Sequence, residues 1–225
     1  MKRLPYILPI LAFFFPFVAN AAVTLNSFTW SQPAPASLSA TVPSMTNGLS
    51  VCYIGNGNNS STVTGLTFGS VAFTLLDQFS TNSHPFTTFY ALNVPSGAQT
   101  GSATFSGTAP ADVYFGCWFL DGVDQTTPID AHNSSANNSV SVTTSNSAFF
   151  VGVMFDGGNT GANITSHQSG ATIYFGQDSN GMVAAGSNTN TWTGATAGSA
   201  IVAVNQVLPS PAAPYLPLLS WFFWW

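Results

Sequence analysis

Apolar residues in this chain come in short runs, with no sustained helical period of about 3.6 residues. Phe, Val, Thr and Ile dominate the runs, and Gly, Asn, Ser and Pro separate them. Short β-branched and aromatic runs bounded by turn formers specify strands. The pattern predicts strands over residues 22–30, 49–54, 63–68, 71–78, 86–94, 100–105, 112–120, 140–143, 148–155, 173–175, 182–185 and 200–207. Trp192 lies in a short run of its own. Asn47-Gly48, Pro95-Ser96-Gly97 and Asn146-Ser147 mark turns, and Gly69-Ser70 between two alternating runs marks a two-residue hairpin. The polar stretches 32–37, 55–61, 121–138 and 156–162 are expected as loops. About twelve short strands with regular turns predict an all-β, two-sheet antiparallel sandwich of jelly-roll-like arrangement.

The ends differ from this middle. Lys2-Arg3, an apolar stretch over residues 4–18 and Ala19-Asn20-Ala21 have the form of a signal peptide over residues 1–21, with cleavage before Ala22. Export is therefore expected, to an extracellular or cell-surface location. Residues 22–207 are expected to form the β-sandwich domain, followed by a Pro-rich spacer and an apolar aromatic tail over 208–225. The tail ends Trp221-Phe222-Phe223-Trp224-Trp225. Its apolar part is shorter than the ~20 residues a helix needs to span a bilayer. Trp and Phe suit the membrane interface, so a membrane or sorting contact is the expectation for the tail.

Composition narrows the chemistry. The chain has two Lys or Arg and seven acidic residues, all of them Asp. Beyond Arg3 there is no cationic side chain except three His. Nucleic acid and nucleotides are thereby excluded as partners, because nothing is left to hold phosphate. Trypsin has no site beyond residue 3, and stability should vary little between about pH 5 and 9 because few groups titrate there. Nineteen Phe and six Trp supply a core, so the low charge does not signal disorder. Cys52 and Cys117 both fall in strand-like runs, and an even pair in an exported chain predicts a disulfide.

One set of motifs resembles a known group. It comprises Val71-Ala72-Phe73-Thr74, then Tyr90-Ala91-Leu92-Asn93-Val94-Pro95-Ser96-Gly97, then Phe105-Ser106-Gly107. Gly122-Val123-Asp124-Gln125-Thr126-Thr127-Pro128-Ile129 follows, and Ala200-Ile201-Val202-Ala203-Val204 closes the series. The series resembles a group of bacterial secreted and cell-surface β-sandwich domains, over roughly residues 25–207. The cysteine pair and the missing cations depart from that group. The resemblance implies a display or adhesion module and brings no catalytic residues with it.

Candidate chemistry is correspondingly thin. Asp121, Asp124 and Asp130, with His132 nearby, lie in one polar stretch whose carboxylates suit Ca²⁺. The scattered histidines His84, His132 and His167 lack zinc-ligand spacing. No G-x-S-x-G elbow or paired Glu points to hydrolysis, so no catalytic residue is expected. Glycan binding needs aromatic platforms with amides and hydroxyls around them. Trp192, Trp30, Tyr90 and Tyr174 are the candidate rings, with Trp192 in the most polar setting and Trp118 expected in the core. The reading is a non-catalytic adhesion or glycan-binding module whose partner is a polysaccharide or surface glycan. The alternative is a structural protein that assembles with itself.

Overall fold

The structure, a computed structural model, describes residues 22–31, 37–56, 61–81, 84–110, 112–155, 168–169, 174–192 and 198–208. These lie in one compact unit, Ala21–Leu208. The expected signal peptide and tail, His167 and the side chains of His84 and Tyr174 lie outside the described residues.

The fold is all-β, and every strand pairing among the described residues is antiparallel. The strands in chain order are β1 (Thr24–Ser31), β2 (Ser37–Val42), β3 (Leu49–Asn56), β4 (Val63–Phe68), β5 (Val71–Ala72), β6 (Thr74–Thr81), β7 (His84–Leu92) and β8 (Gly97–Phe105). They continue as β9 (Val113–Asp121), β10 (Ile129–Ser135), β11 (Ser139–Thr144), β12 (Ala148–Phe155), β13 (Gln168–Ser169), β14 (Tyr174–Val183), β15 (Gly186–Thr191) and β16 (Gly198–Asn205). Sheet I has the order β1-β9-β3-β7-β6, sheet II β10-β16-β12-β14-β13, sheet III β2-β8-β4-β5 and sheet IV β11-β15.

The expected sandwich is the pair of five-stranded sheets I and II, packed through Val51, Tyr53 and Trp118 against Phe149, Val151 and Val202. Sheets III and IV extend that pair. Leu38, Leu66 and Phe68 of sheet III cover the other face of sheet I around Cys52 and Phe115. Val140 and Val142 of sheet IV cover the other face of sheet II at Phe150 and Ile201. The layers therefore run III–I–II–IV. β3 and β16 are buried at every position because both of their faces are covered. β11, in an outer layer, alternates strictly between exposed and buried.

Aromatic rings fill the space between sheets I and II. Phe28, Trp118, Tyr53, Phe86 and Phe79 form a chain of ring contacts 4.7–5.9 Å apart, one ring from each strand of sheet I. Glycines face these rings because nothing larger fits. A Cβ on Gly176 of β14 would sit 2.7 Å from Cζ2 of Trp118. A void of about 10 Å³, bordered by Tyr53 and Trp118, remains between the sheets, room for about one water. Burial pushes the Tyr53 phenol above its ordinary pKa.

Cys52 and Cys117 form the expected disulfide, between directly opposed residues of neighbouring strands whose Cα atoms are 4.1 Å apart. Both cysteines are fully buried on the face toward sheet III.

The predicted strands are found, but β2 (Ser37–Val42) and β15 (Gly186–Thr191) lie where no strand was expected, and three further stretches differ. Residues 121–138 are not one loop, because β10 occupies Ile129–Ser135 and pairs with β16. Its sequence, IDAHNSS, has almost no apolar signal because β10 is the edge strand of sheet II. The run at 71–78 is cut at Phe73, where the chain leaves sheet III for sheet I; Phe73 N–H donates to Leu66 C=O at 2.9 Å. The runs at 173–175 and 182–185 are two ends of the single strand β14, which Asn180 and Gly181 carry past a bulge at positive φ. The Gly69-Ser70 hairpin is present, with Gly69 at φ 60° as its first turn residue.

Candidate functional site

Among the described side chains, the aromatic candidates do not form a binding platform. Trp192 is 1% exposed, which corrects the expectation of a surface ring. It follows Asn190 at strand spacing, and both side chains are buried at the end of sheet IV. The Trp192 backbone N–H donates to Asn138 C=O at 2.8 Å. Of its described polar neighbours, Thr189 and Thr191 are half-buried and Asn190 is buried, so a polar setting in the sequence does not place the ring in solvent. Trp118 is buried, as expected. Trp30 and Tyr90 are half-buried, and β9 and β3 lie between them in sheet I. Tyr90 packs against the inner core. Tyr174 opens β14 opposite Phe155.

The carboxylates are separated as well. Among the described residues no three His, Cys, Asp or Glu side chains gather as a cation site, so Asp121, Asp124 and Asp130 do not form the expected Ca²⁺ cluster. Each is bound to a different loop. Asp121 accepts from Thr46 N–H at 2.7 Å and from Asn26 Nδ2 at 2.7 Å. Asp130 Oδ2 accepts from Ser145 N–H at 2.8 Å. Asp124 Oδ1 accepts from the Thr126 N–H and hydroxyl and from Thr127 N–H at 2.6–3.1 Å. Those donors favour the charged form and hold the Asp124 carboxyl below the usual carboxylate range.

The Gly122–Pro128 motif is a clasp between the two inner sheets. Gly122 and Val123 N–H donate to Thr46 and Asn47 carbonyls at 3.1 and 3.0 Å. Asp124 N–H donates to Asn205 C=O, and Asn205 N–H returns to Pro128 C=O. Asn205 Nδ2 donates to Thr127 C=O at 2.9 Å, and Asn93 Nδ2 donates to the Gln125 side chain at 2.9 Å. Gly122, at φ 75°, makes the sharp exit from β9 that this clasp needs. The Gly122–Pro128 segment thus ties β9 of sheet I to the end of β16 in sheet II.

What the outer layers present is different. On sheet III the exposed positions include Ser39 and Thr41 of β2, Ala98, Thr100, Ser102 and Thr104 of β8, and Thr64 and Thr67 of β4. They stand in register, Ser39 beside Thr100 and Ser102 beside Thr67. A shallow groove of about 300 Å³ lies over Ser39, Thr41, Ala98, Gln99 and Thr100. Sheet IV repeats the chemistry: Ser141 and Thr189 hydroxyls are 2.7 Å apart, and Ser139 and Thr191 hydroxyls 3.4 Å. Neither outer sheet contains an Asp or a His. The signal was legible as the period of two in SLSATV and SVSVTT, where every polar position is Ser or Thr.

Among the described residues, charge is confined to the inner layers and their loops. His132 Nδ1 of β10 lies 3.0 Å from Asp77 Oδ2 of β6, a hydrogen bond across neighbouring edges of sheets I and II. It is a contact between sheets, and its histidine is 39% exposed.

No family model matches this chain, and neither a curated protein nor a solved structure is significantly similar to it. The fold and the site define an all-β sandwich with a covalently closed core and two uncharged, hydroxyl-lined outer faces.

Proposed function

We propose that the chain is an exported, non-catalytic surface module that binds neutral polysaccharide on the hydroxyl-lined face of sheet III. The carrying observation is that face itself: in-register Ser and Thr around a groove, without a charged side chain. A neutral polymer of hydroxyls offers matching donors and acceptors, and its C–H faces meet the threonine methyls. No ion has to be desolvated on either side, which removes the largest cost of polar burial. Recognition by many weak hydrogen bonds over a flat sheet replaces the ring stacking that the sequence suggested. The buried disulfide and the N-terminal apolar segment support an oxidising, extracytoplasmic location. The Pro-rich spacer and aromatic end would hold the domain at an envelope surface.

The test is co-sedimentation of the full chain with insoluble neutral polysaccharides such as cellulose, chitin and starch granules. Thr100→Lys with Ser102→Lys, on the middle strand of sheet III, should lower the bound fraction about tenfold without changing the melting temperature, since exposed substitutions rarely alter stability by more than about 0.5 kcal/mol. Failure to sediment with any neutral polysaccharide, or undiminished binding by the lysine variant, overturns the reading.

A further inference from the structure

Sheet ends expose unpaired N–H and C=O groups, and proteins protect them with bulges, charges, extreme shortness or side-chain cover. Most ends here are protected in one of those ways. β1 carries a bulge between Leu25 and Ser27. β6 carries a bulge between Leu75 and Asp77 and bears the Asp77 charge. β10 carries a bulge between Ile129 and Ala131, with Asp130 and His132 on it. β5 and β13 are two residues each. In sheet IV, Asn133 Nδ2 covers Ser141 C=O of β11, and Asn188 Nδ2 of β15 turns back onto Gly186 C=O.

β2 has none of these. Its six residues pair with β8 one for one without a bulge, and no strand among the described residues pairs with its other edge. It contains no charge and no proline.

Its sequence is also self-complementary. Leu38 and Val42 are buried, whereas Ser39 and Thr41 are exposed. Opposed residues in an antiparallel pair share a face, so even-numbered positions must meet even-numbered ones. Centring the pairing on Ala40 sets Leu38 against Val42 on the core side and Ser39 against Thr41 on the outer side. A single strand satisfying both faces against its own copy is what a twofold edge contact requires.

We propose that β2 is a homotypic docking edge: two copies of this chain pair antiparallel along Leu38–Val42 and join their sheets III across a twofold axis at Ala40. The contact is small, so association is weak and concentration-dependent. The proposal does not rest on polysaccharide binding, although Ser39 and Thr41 also line the sheet III groove.

Sedimentation velocity on the full chain over rising concentration tests it. The wild type should shift from monomer toward dimer, and amide exchange over residues 37–42 should slow as the concentration rises. Ser39→Lys with Thr41→Lys places like charges in opposition and should weaken association about tenfold. Ser39→Asp with Thr41→Asp should do the same. An equimolar mixture of the two variants should recover a dimer, because position 39 of one copy faces position 41 of the other. A wild type that stays monomeric, a lysine variant that associates like wild type, or a mixture that stays monomeric overturns the proposal.

Discussion

The inner sheets and the outer sheets solve opposite problems with one restricted alphabet. β3, β9 and β16 are covered on both faces, and the chain supplies rings, β-branched residues and glycines where rings need space. β2, β8, β11 and β15 have one face in water, and there it supplies Ser and Thr in place of ions. Nearly all of the large-ring packing lies against sheet I, on its two faces. The contrast shows where stability resides. The inner sheets hold the fold, and the outer sheets are thin covers whose exposed sides are available for contact.

The largest expected effect tests that division directly. Trp118 touches Phe28 and Tyr53, with ring centroids 4.7 and 5.6 Å away, at the centre of sheet I. Trp118→Ala should cost roughly 3–5 kcal/mol, as large-to-small changes in well-packed cores do. Val142→Ala beneath sheet IV removes about two buried methylene equivalents and should cost about 2 kcal/mol. Equal losses in urea denaturation would show that sheet IV is as integral to the core as sheet I.

Next in size is the disulfide. Cys52→Ser with Cys117→Ser opens a loop whose ends are 65 residues apart in sequence. The expected loss is roughly 2–4 kcal/mol, toward the upper end for so long a loop if the constraint acts on the unfolded chain. Both sulfurs are fully buried, so reductant should act only on unfolded molecules. Reduction of the native protein at a rate independent of denaturant would contradict a core closed on both faces of sheet I.

How much of this the sequence carried follows the same division. Strands buried on both faces appeared as continuous apolar runs: residues 49–54 and 112–120 were placed within a few residues of β3 and β9. Both cysteines were found in them, and their pairing with them. The outer and edge strands were harder. β10 and β15 carry so few apolar residues that they look like loops, and their strand character comes from the neighbours they pair with, whereas β2 was missed although Leu38, Ala40 and Val42 alternate with Ser and Thr. The candidate site was legible only in part. Burial of Trp192 depends on sheet IV folding over sheet II, and no local pattern around Thr191-Trp192 reveals that. The carboxylates 121, 124 and 130 are close in sequence, but the chain turns between them and gives each its own backbone donors. The hydroxyl rows were in plain view as a period of two, and were passed over because Ser and Thr are common throughout.

The smallest expected effect is electrostatic and belongs to the clasp between the inner sheets. Hydrogen bonds from Thr126 and Thr127 favour the ionised Asp124 carboxyl and lower its folded pKa. A group with a depressed folded pKa contributes stability above its unfolded pKa, near 3.9, and loses it as pH falls through the folded value. Asp124 should therefore stabilise the protein above about pH 4 and give up that contribution progressively in more acid solution. Asp124→Asn retains an oxygen that accepts from both backbone N–H groups, so its loss at neutral pH should be small. Its denaturation midpoint should also fall less than that of the wild type between about pH 5 and pH 2. Identical acid profiles for the two proteins would mean that the Asp124 charge does not contribute to the clasp.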